Sequence, residues 1–249
     1  MTIYEYARFL EDTLSISSFR DISLNGIQIG CPERELKKAA FAVDACGETI
    51  GRAADAGCDI LVVHHGLFWG KPVAIDGVHY TRVKKALDSS MMLFACHIPL
   101  DANIPYGNNA QIALTLGMKE FDGFGEWEGK KIGVMGSLPF PMTLGEIKGL
   151  LKCPDAFVID GCPKERIERV AIVSGSGSSD VRDAVKEGVD LFITGEVHHD
   201  VYHEAEENGL SVLAFGHYRS ETYGVKALQR LTEKKLGIET VFIDAETGL

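Results

Sequence analysis

The stretch Asp59-Ile60-Leu61-Val62-Val63-His64-His65-Gly66 is a continuous apolar run that ends in two adjacent histidines and a glycine. A short apolar run after a glycine-terminated helical segment is typical of a buried strand in an α/β sheet. Such sheets bind ligands at the carboxyl ends of their strands, which is where this run carries His64 and His65. Because side chains alternate along a strand, the two histidines act together only if the strand ends there or if they flank a site from two sides.

The composition of the chain is that of an ordinary globular protein. It has 249 residues, of which 45% are hydrophobic and 24% are charged. The formal net charge of −11 makes nucleic acid an unfavourable partner, because phosphate contacts require clustered lysine and arginine. The six cysteines form no C-x-x-C pair, and the chain shows neither the apolar core of a signal peptide nor a run as long as a membrane span. We therefore expect a soluble cytoplasmic protein with reduced thiols.

Helical and strand-like segments alternate on both sides of the opening stretch. The predicted helices cover residues 2–11, 47–56, 80–88 and 106–117. The predicted strands cover residues 21–30, 39–44, 59–66 and 91–97. A charged helix or turn is expected over residues 33–38, and a loop marked by Gly70, Pro72 and Gly77 precedes the third helix.

The chain also contains an internal repeat. Residues 30–59 align without a gap with residues 161–190, so that Asp59 lies over Asp190. The predicted order of helices and strands is the same in both segments. We therefore predict an α/β fold made of two similar lobes that arose by duplication.

A second register aligns the later parts of the two halves. It places residues 94–97 over residues 214–217, so that each half has a histidine, and it then places Asp101 over Glu221. The two lobes are predicted to be residues 1–125 and 126–249. Each lobe thus offers a histidine followed at the fourth place by a carboxylate, at the end of a strand.

Six side chains at or just past the predicted strand ends could meet in the cleft between the lobes: His64, His65, His97, Asp101, His217 and Glu221. Imidazoles and carboxylates without thiolates are a ligand set for one or two ions of Zn, Fe, Mn, Co or Ni. Ordinary structural roles compete with this interpretation, such as a turn at Asp101 or a favourable helix-dipole position for Glu221. The same spacing in both halves favours the metal site.

Five motifs of the chain are distinctive: Val43-Asp44, Gly57-Cys58-Asp59-Ile60-Leu61-Val62-Val63-His64-His65-Gly66, Cys96-His97-Ile98-Pro99-Leu100-Asp101, Thr194-Gly195-Glu196 and Gly216-His217-Tyr218-Arg219-Ser220-Glu221. With these motifs the chain resembles the GTP cyclohydrolase I type 2 homologues, also called the Ngg-one-interacting-factor-three family. The similarity runs over essentially the whole chain.

The resemblance implies a toroidal homohexamer with a dinuclear metal site in the interlobe cleft of each subunit. It implies five metal ligands, namely His64, His65, Asp101, His217 and Glu221. Glu221 is the implied bridge between the two ions, and His97 matches a family histidine that lies close to the metals.

The glycine- and serine-rich residues 173–180 follow a strand and precede a helix, where main-chain N–H groups can bind phosphate. The segment lacks the third glycine of a dinucleotide fingerprint and the lysine of a P-loop. A tight turn capped by Ser179 or Asp180 is therefore the favoured interpretation. A phosphate-bearing ligand remains the alternative.

A histidine-rich segment over residues 195–203 is the other stretch of interest. His199 and His203 have the i,i+4 spacing of a chelating pair, but Asp200 stands where H-E-x-x-H has glutamate. We expect surface and supporting roles for this segment rather than a separate metal site. Glu196 is the best candidate to orient a ligand histidine.

The leading functional hypothesis is a metal-dependent hydrolase that acts on a small, nucleotide-like substrate. Two ions would lower the pKa of a bound water, and Glu221 or His97 would handle protons. The alternative is a protein that holds iron or another metal for delivery, or a ring-shaped binding scaffold without catalysis. Tightly held metal with an open coordination position would favour catalysis, whereas exchangeable metal would favour delivery.

Overall fold

The computed structural model describes residues 1–249, which form two compact units. Unit 1 contains Met1–Leu100 and Val225–Glu246, and unit 2 contains Asp101–Gly224 and Thr247–Leu249. The predicted lobes, 1–125 and 126–249, describe the duplication of the sequence and stay a prediction. The compact units divide the chain differently, because its last helix begins in unit 2 and continues in unit 1.

Unit 1 is built on a five-stranded sheet with the order β1-β4-β3-β2-β11. Its strands are β1 (Gly26–Ile29), β2 (Lys38–Asp44), β3 (Ile60–His65), β4 (Met92–Ala95) and β11 (Glu239–Phe242). Its helices are α1 (Ile3–Leu14), α2 (Gly47–Asp55) and α3 (Gly77–Asp88). The strands β4, β3, β2 and β11 are parallel, and β1 runs antiparallel to β4. Residues 60–63 of β3 are fully buried, so both faces of this parallel strand are covered, which explains its continuous apolar sequence.

Unit 2 is built on a six-stranded sheet with the order β5-β6-β8-β9-β10-β7. Its strands are β5 (Asp122–Trp127), β6 (Lys130–Met142), β7 (Phe157–Ile159), β8 (Ile167–Ser176), β9 (Leu191–Glu196) and β10 (Ser211–Ala214). Its helices are α5 (Asn108–Thr115), α6 (Leu144–Leu151), α7 (Val181–Glu187) and α8 (Tyr202–Glu207). The divisions between the units fall inside α4 (Ile98–Asp101) and α9 (His217–Leu231).

The order and direction of the strands repeat in the two units. In unit 1 the parallel strands β2, β3 and β4 are followed at the edge by antiparallel β1, and in unit 2 β8, β9 and β10 are followed by antiparallel β7. Asp59 accepts main-chain hydrogen bonds from residues 37 and 38 at the start of β2. Asp190 accepts the equivalent bonds from residues 168 and 169 at the start of β8. These shared contacts support the predicted duplication.

The second register of the predicted repeat is wrong by one residue within the strands. The first residue of β3 lies opposite Met92, and the first residue of β9 lies opposite Ser211. Met92 and Ser211 are therefore equivalent, and the connection after β10 is one residue longer than the connection after β4. This extra residue is why His97 and His217 align in sequence although their strands do not.

Two predicted elements differ in the structure. The strand-like run predicted over 21–30, with a break at Asn25-Gly26, forms a strand only after that break, as β1, because Gly26 has a φ of +96° and the residues before it turn away to bond with the segment after β4. Residues 33–37 form neither a helix nor a turn, and Glu35 makes an isolated bridge with Thr2, whereas Lys38 already belongs to β2. The six cysteines are all free thiols. None of the helices combines the length and the apolar character needed to cross a membrane.

Candidate metal centre

Three imidazoles of unit 1 cluster at the carboxyl ends of β3 and β4. The ring centroids of His64 and His65 are 4.6 Å apart, and that of His97 lies 5.2 Å from His64 and 5.6 Å from His65. One nitrogen of each ring lies within 4.8 Å of the corresponding nitrogens of the other two, a spacing at which the rings could hold a metal ion. His64 and His65 are the last two residues of β3. The strand therefore ends at this pair, which is one of the two conditions under which adjacent histidines of a strand can act together.

Each of the three rings is held through Nδ1 by an oxygen atom of unit 1. The acceptors are the main-chain oxygen of Cys96 for His64 at 2.9 Å, Asp44 for His65 at 2.9 Å and Asp21 for His97 at 3.0 Å. A carbonyl or an ionised carboxylate only accepts hydrogen bonds, so each neutral ring carries its proton on Nδ1 and its lone pair on Nε2. The donor atom that these rings offer to a metal is therefore Nε2.

Asp21 is the more enclosed of the two carboxylates, with a side chain that is 1% exposed against 34% for Asp44. Burial raises the pKa of Asp21, but hydrogen bonds from His97, Asn25 and Ser23 outweigh it and lower the pKa to about 2. Asp21 is therefore ionised at neutral pH. Sequence analysis missed this residue because no periodic pattern or motif marks it.

His217 and Glu221 lie on the first turns of α9, in unit 2. Nε2 of His217 lies 3.1 Å from Oε1 of Glu221, and Nδ1 lies 3.1 Å from Oε1 of Glu196. The hydrogen bond with Glu221 raises the pKa of His217 more than burial lowers it. The hydrogen bond with Glu196 raises it further, and the resulting pKa is about 9. Without a metal His217 is therefore protonated at neutral pH. The expected contact between Glu196 and a candidate ligand histidine is confirmed.

Gly175 leaves room for this pair of side chains. A Cβ atom at this position would lie 2.5 Å from Oε1 of Glu221 and 3.3 Å from Nε2 of His217. Its φ of +67° also belongs to the left-handed region that favours glycine. Both the space and the backbone conformation therefore require glycine here.

Asp101, the remaining predicted ligand, is buried in unit 2 at the end of α4. Its Oδ1 accepts hydrogen bonds from Nδ2 of Asn108 at 2.8 Å and from Oγ of Ser174 at 2.9 Å. Asn109 accepts from the main-chain nitrogen of Ser174 and donates to the main-chain oxygen of Asp101. These contacts fix the orientation of the Asp101 carboxylate, and no motif in the sequence indicated them.

The segment 173–180 does not form the expected capped turn. Neither Ser179 nor Asp180 caps α7 with its side chain. Asp180 is buried instead, where it accepts a hydrogen bond from Oγ of Ser179. Oγ of Ser178 accepts from the main-chain nitrogen of His198. The hydroxyl groups of Ser178 and Ser179 therefore bond within unit 2, and α7, the helix that follows, has only seven residues.

The histidines of the segment 195–203 do not form a metal site. His199 lies in a short 3-10 turn and His203 lies in α8, so the pair does not share the regular helix that i,i+4 chelation requires. Neither belongs to a group of side chains close enough to hold an ion. His203 lies 3.7 Å from Glu206 at the surface.

The donors of both units fit first-row divalent ions. They are imidazoles and carboxylates that are held by hydrogen bonds, and no thiol is among them. In the metal-free chain a proton lies between Nε2 of His217 and Oε1 of Glu221. A metal cation could replace this proton and bind to the same two atoms.

Comparison with known proteins gives consistent matches over the whole chain. Residues 1–248 match the family model Duf34/NIF3 (NGG1p interacting factor 3). A protein of Archaeoglobus fulgidus named GTP cyclohydrolase 1 type 2 homolog is 44% identical over 249 residues, with 100% of both chains covered. Protein TTHA1606 from Thermus thermophilus is 39% identical with a TM-score of 0.89, and protein ybgI is 31% identical with a TM-score of 0.90, each with 100% of both chains covered.

Proposed function

The chain belongs to the Duf34/NIF3 family, and on that premise we propose that it is a dinuclear metal protein that hydrolyses a small, nucleotide-like substrate. The observation that carries this proposal is the set of oriented donors. Unit 1 has imidazoles fixed through Nδ1, and unit 2 has the His217–Glu221 pair. A relative named as a cyclohydrolase homologue is consistent with a hydrolytic reaction.

Five side chains would hold two ions of Fe, Zn, Mn, Ni or Co: His64, His65, Asp101, His217 and Glu221. In this proposal Glu221, whose side chain is 4% exposed, is the bridge. Bound ions would lower the pKa of a water molecule so that hydroxide is available near neutral pH. Asp44 and Glu196 orient His65 and His217. Glu221 and His97 are the groups that hold or move protons.

The proposal extends to the state of the protein in the cell. We propose a toroidal homohexamer, as the family resemblance implies. The six free thiols support a reducing, cytoplasmic location. The net charge of −11 favours a small-molecule substrate over nucleic acid.

The test is elemental analysis of protein purified from its native source. We expect two metal equivalents per chain in the wild type and a loss of both in Glu221→Gln, because the bridge contacts both ions. Glu207→Gln is the matched control, since Glu207 is an exposed glutamate of α8, and it should keep both ions. A wild-type protein without metal would contradict the proposal.

Metal delivery is the second candidate function, and one observation favours it. The side chains of His65 and His217 are 20% and 31% exposed, so part of the donor set is open to an exchanging ligand. Transfer of radioactive metal to a chelator within minutes, without turnover of nucleotides, phosphoesters or cyclic amides, would support delivery. Metal that stays bound while substrate is consumed would support hydrolysis.

A further inference from the structure

The loop that follows β3, residues 66–70, is held in place by β1 and by the segment before it. Oε1 of Gln28 accepts a hydrogen bond from the main-chain nitrogen of Leu67 at 2.6 Å. The main-chain nitrogen of Leu24 donates to the main-chain oxygen of Phe68 at 3.0 Å. The loop therefore has a fixed position at the carboxyl end of the strand that carries the two adjacent histidines.

The large apolar side chains of this loop have different surroundings. Leu67 and Phe68 pack on the hydrophobic core cluster of unit 1, and the ring of Phe68 lies edge-on to that of His79 at 5.1 Å. Trp69 does not join this cluster, and its side chain is partly exposed. The indole N–H is the only hydrogen-bond donor of this side chain, and it donates to the main-chain oxygen of Gly66 at 3.0 Å. What the Trp69 ring offers to a ligand is therefore its π surface.

Trp69 lies beside two imidazoles of the candidate centre. Its ring centroid is 5.8 Å from that of His65 and 5.1 Å from that of His97. The side chains of these two histidines are 20% and 18% exposed. A ligand that reaches the imidazoles of unit 1 from solvent therefore meets the indole as well.

We propose that Trp69 is a specificity residue that stacks on a planar heterocycle of the substrate, so that the substrate of this centre carries an unpaired nucleobase. This inference rests on the proposed function, and it names the part of a nucleotide-like substrate that unit 1 recognises. Aromatic side chains stack on every base, because every base has a π face. Since the indole N–H is already bonded to the protein, Trp69 recognises the presence of a base and not its identity.

The first test uses the fluorescence of the two tryptophans of the chain. Trp127→Phe leaves Trp69 as the only tryptophan, and Trp69→Phe leaves Trp127, which lies partly exposed in β5 of unit 2. Both zinc-loaded variants are titrated with GMP, AMP, CMP and UMP, and with ribose 5-phosphate as the probe that lacks a base. We expect at least one nucleotide to quench the emission of Trp127→Phe in a saturable way, whereas ribose 5-phosphate does not. Trp69→Phe should show no saturable quenching.

Two results of this titration would overturn the inference. The first is that none of the four nucleotides quenches Trp69 in a saturable way. The second is equal quenching by ribose 5-phosphate, because the base would then make no contact with the indole.

The second test separates recognition of the base from support of the metal. Trp69→Leu should hold as much zinc as the wild type and bind the nucleotide that quenches best about tenfold more weakly in calorimetry, because the aliphatic side chain cannot stack. Trp69→Phe should recover most of the affinity, and Trp127→Leu is the matched control that should keep all of it.

The outcomes of the second test distinguish the inference from the proposed function. Unchanged nucleotide affinity in Trp69→Leu, or loss of zinc in this variant, would overturn the inference and leave the proposed function standing. A wild-type protein that binds no zinc would overturn both.

Discussion

The four histidines of the candidate centre differ in the oxygen atoms that accept hydrogen bonds from their rings. The imidazoles of His64, His65 and His97 share one tautomer, but their partners are a neutral carbonyl, a half-exposed carboxylate and a buried carboxylate. His217 differs from all three because it lies between two carboxylates. The same residue type therefore has a different hydrogen-bond partner at each of the four positions, and at His217 it carries a proton in the metal-free chain.

The pH dependence of metal binding follows from His217. Its pKa of about 9 means that the metal-free protein carries a proton there at pH 7, which the metal must displace. We expect zinc binding to release this proton and the affinity to rise about tenfold per pH unit up to a pH of about 9. Calorimetry in buffers of different ionisation enthalpy measures the release. An affinity that does not change from pH 7 to 9 would exclude His217 as a ligand.

A second residue-scale prediction concerns Gly175. Gly175→Ala should lower the free energy of unfolding by about 1–3 kcal/mol and weaken zinc binding, because the methyl group meets Glu221 and the φ is positive. Gly149→Ala in α6 is the control, since a Cβ there meets nothing within 4 Å. It should be neutral or stabilising by about 0.4–1 kcal/mol. Urea denaturation and zinc titration measure both effects, and equal behaviour of the two variants would contradict the prediction.

Three secondary-structure elements each carry a candidate ligand at one end. The strand β3 ends at His65, α4 ends at Asp101 and α9 begins at His217. The repeat provides the same arrangement of parallel strands in each unit, but its functional positions differ. Position 65 is histidine, whereas its counterpart in β9 is Glu196. The carboxylate of Glu196 accepts a hydrogen bond from the ring of His217.

The duplication makes a prediction about Asp59 and Asp190. Each accepts two main-chain hydrogen bonds at the start of a parallel strand, so replacement by alanine leaves two donors unsatisfied. We expect Asp59→Ala and Asp190→Ala each to lower the free energy of unfolding by about 1–3 kcal/mol. Asp55→Ala, which removes only an exposed ion pair, should change it by less than about 1 kcal/mol. Thermal and urea denaturation provide the measurement, and a neutral effect at either repeat position would show that the two anchors are not equivalent.

The whole molecule exposes apolar side chains that an assembly would cover. Val73, Ile75, Val78 and Tyr80 lie close together in the sequence, at and before the start of α3, and Val78 is 68% exposed. We expect a particle of six chains of 27.1 kDa in sedimentation equilibrium. Val78→Asp should shift the mass toward smaller species, because a charge in an apolar interface is costly. An unchanged mass would place this segment outside the subunit contacts, and a monomeric wild type would contradict the hexamer.

The sequence by itself determined the α/β class, the strand at residues 60–65, the family and the candidate ligands. Apolar runs, glycines that end helices and a repeated spacing are local signals. They can be read from the sequence because a buried strand or helix requires apolar residues at regular positions. Only the tertiary structure revealed the residues that orient the ligands. Asp21 and His97 are 76 positions apart, and their hydrogen bond depends on how β1 and β4 pair in the sheet. The tertiary structure also decided which residues of β4 and β10 are equivalent. The hydrogen bonds of each strand with its neighbour fix this equivalence, whereas the connections that follow β4 and β10 differ in length by one residue.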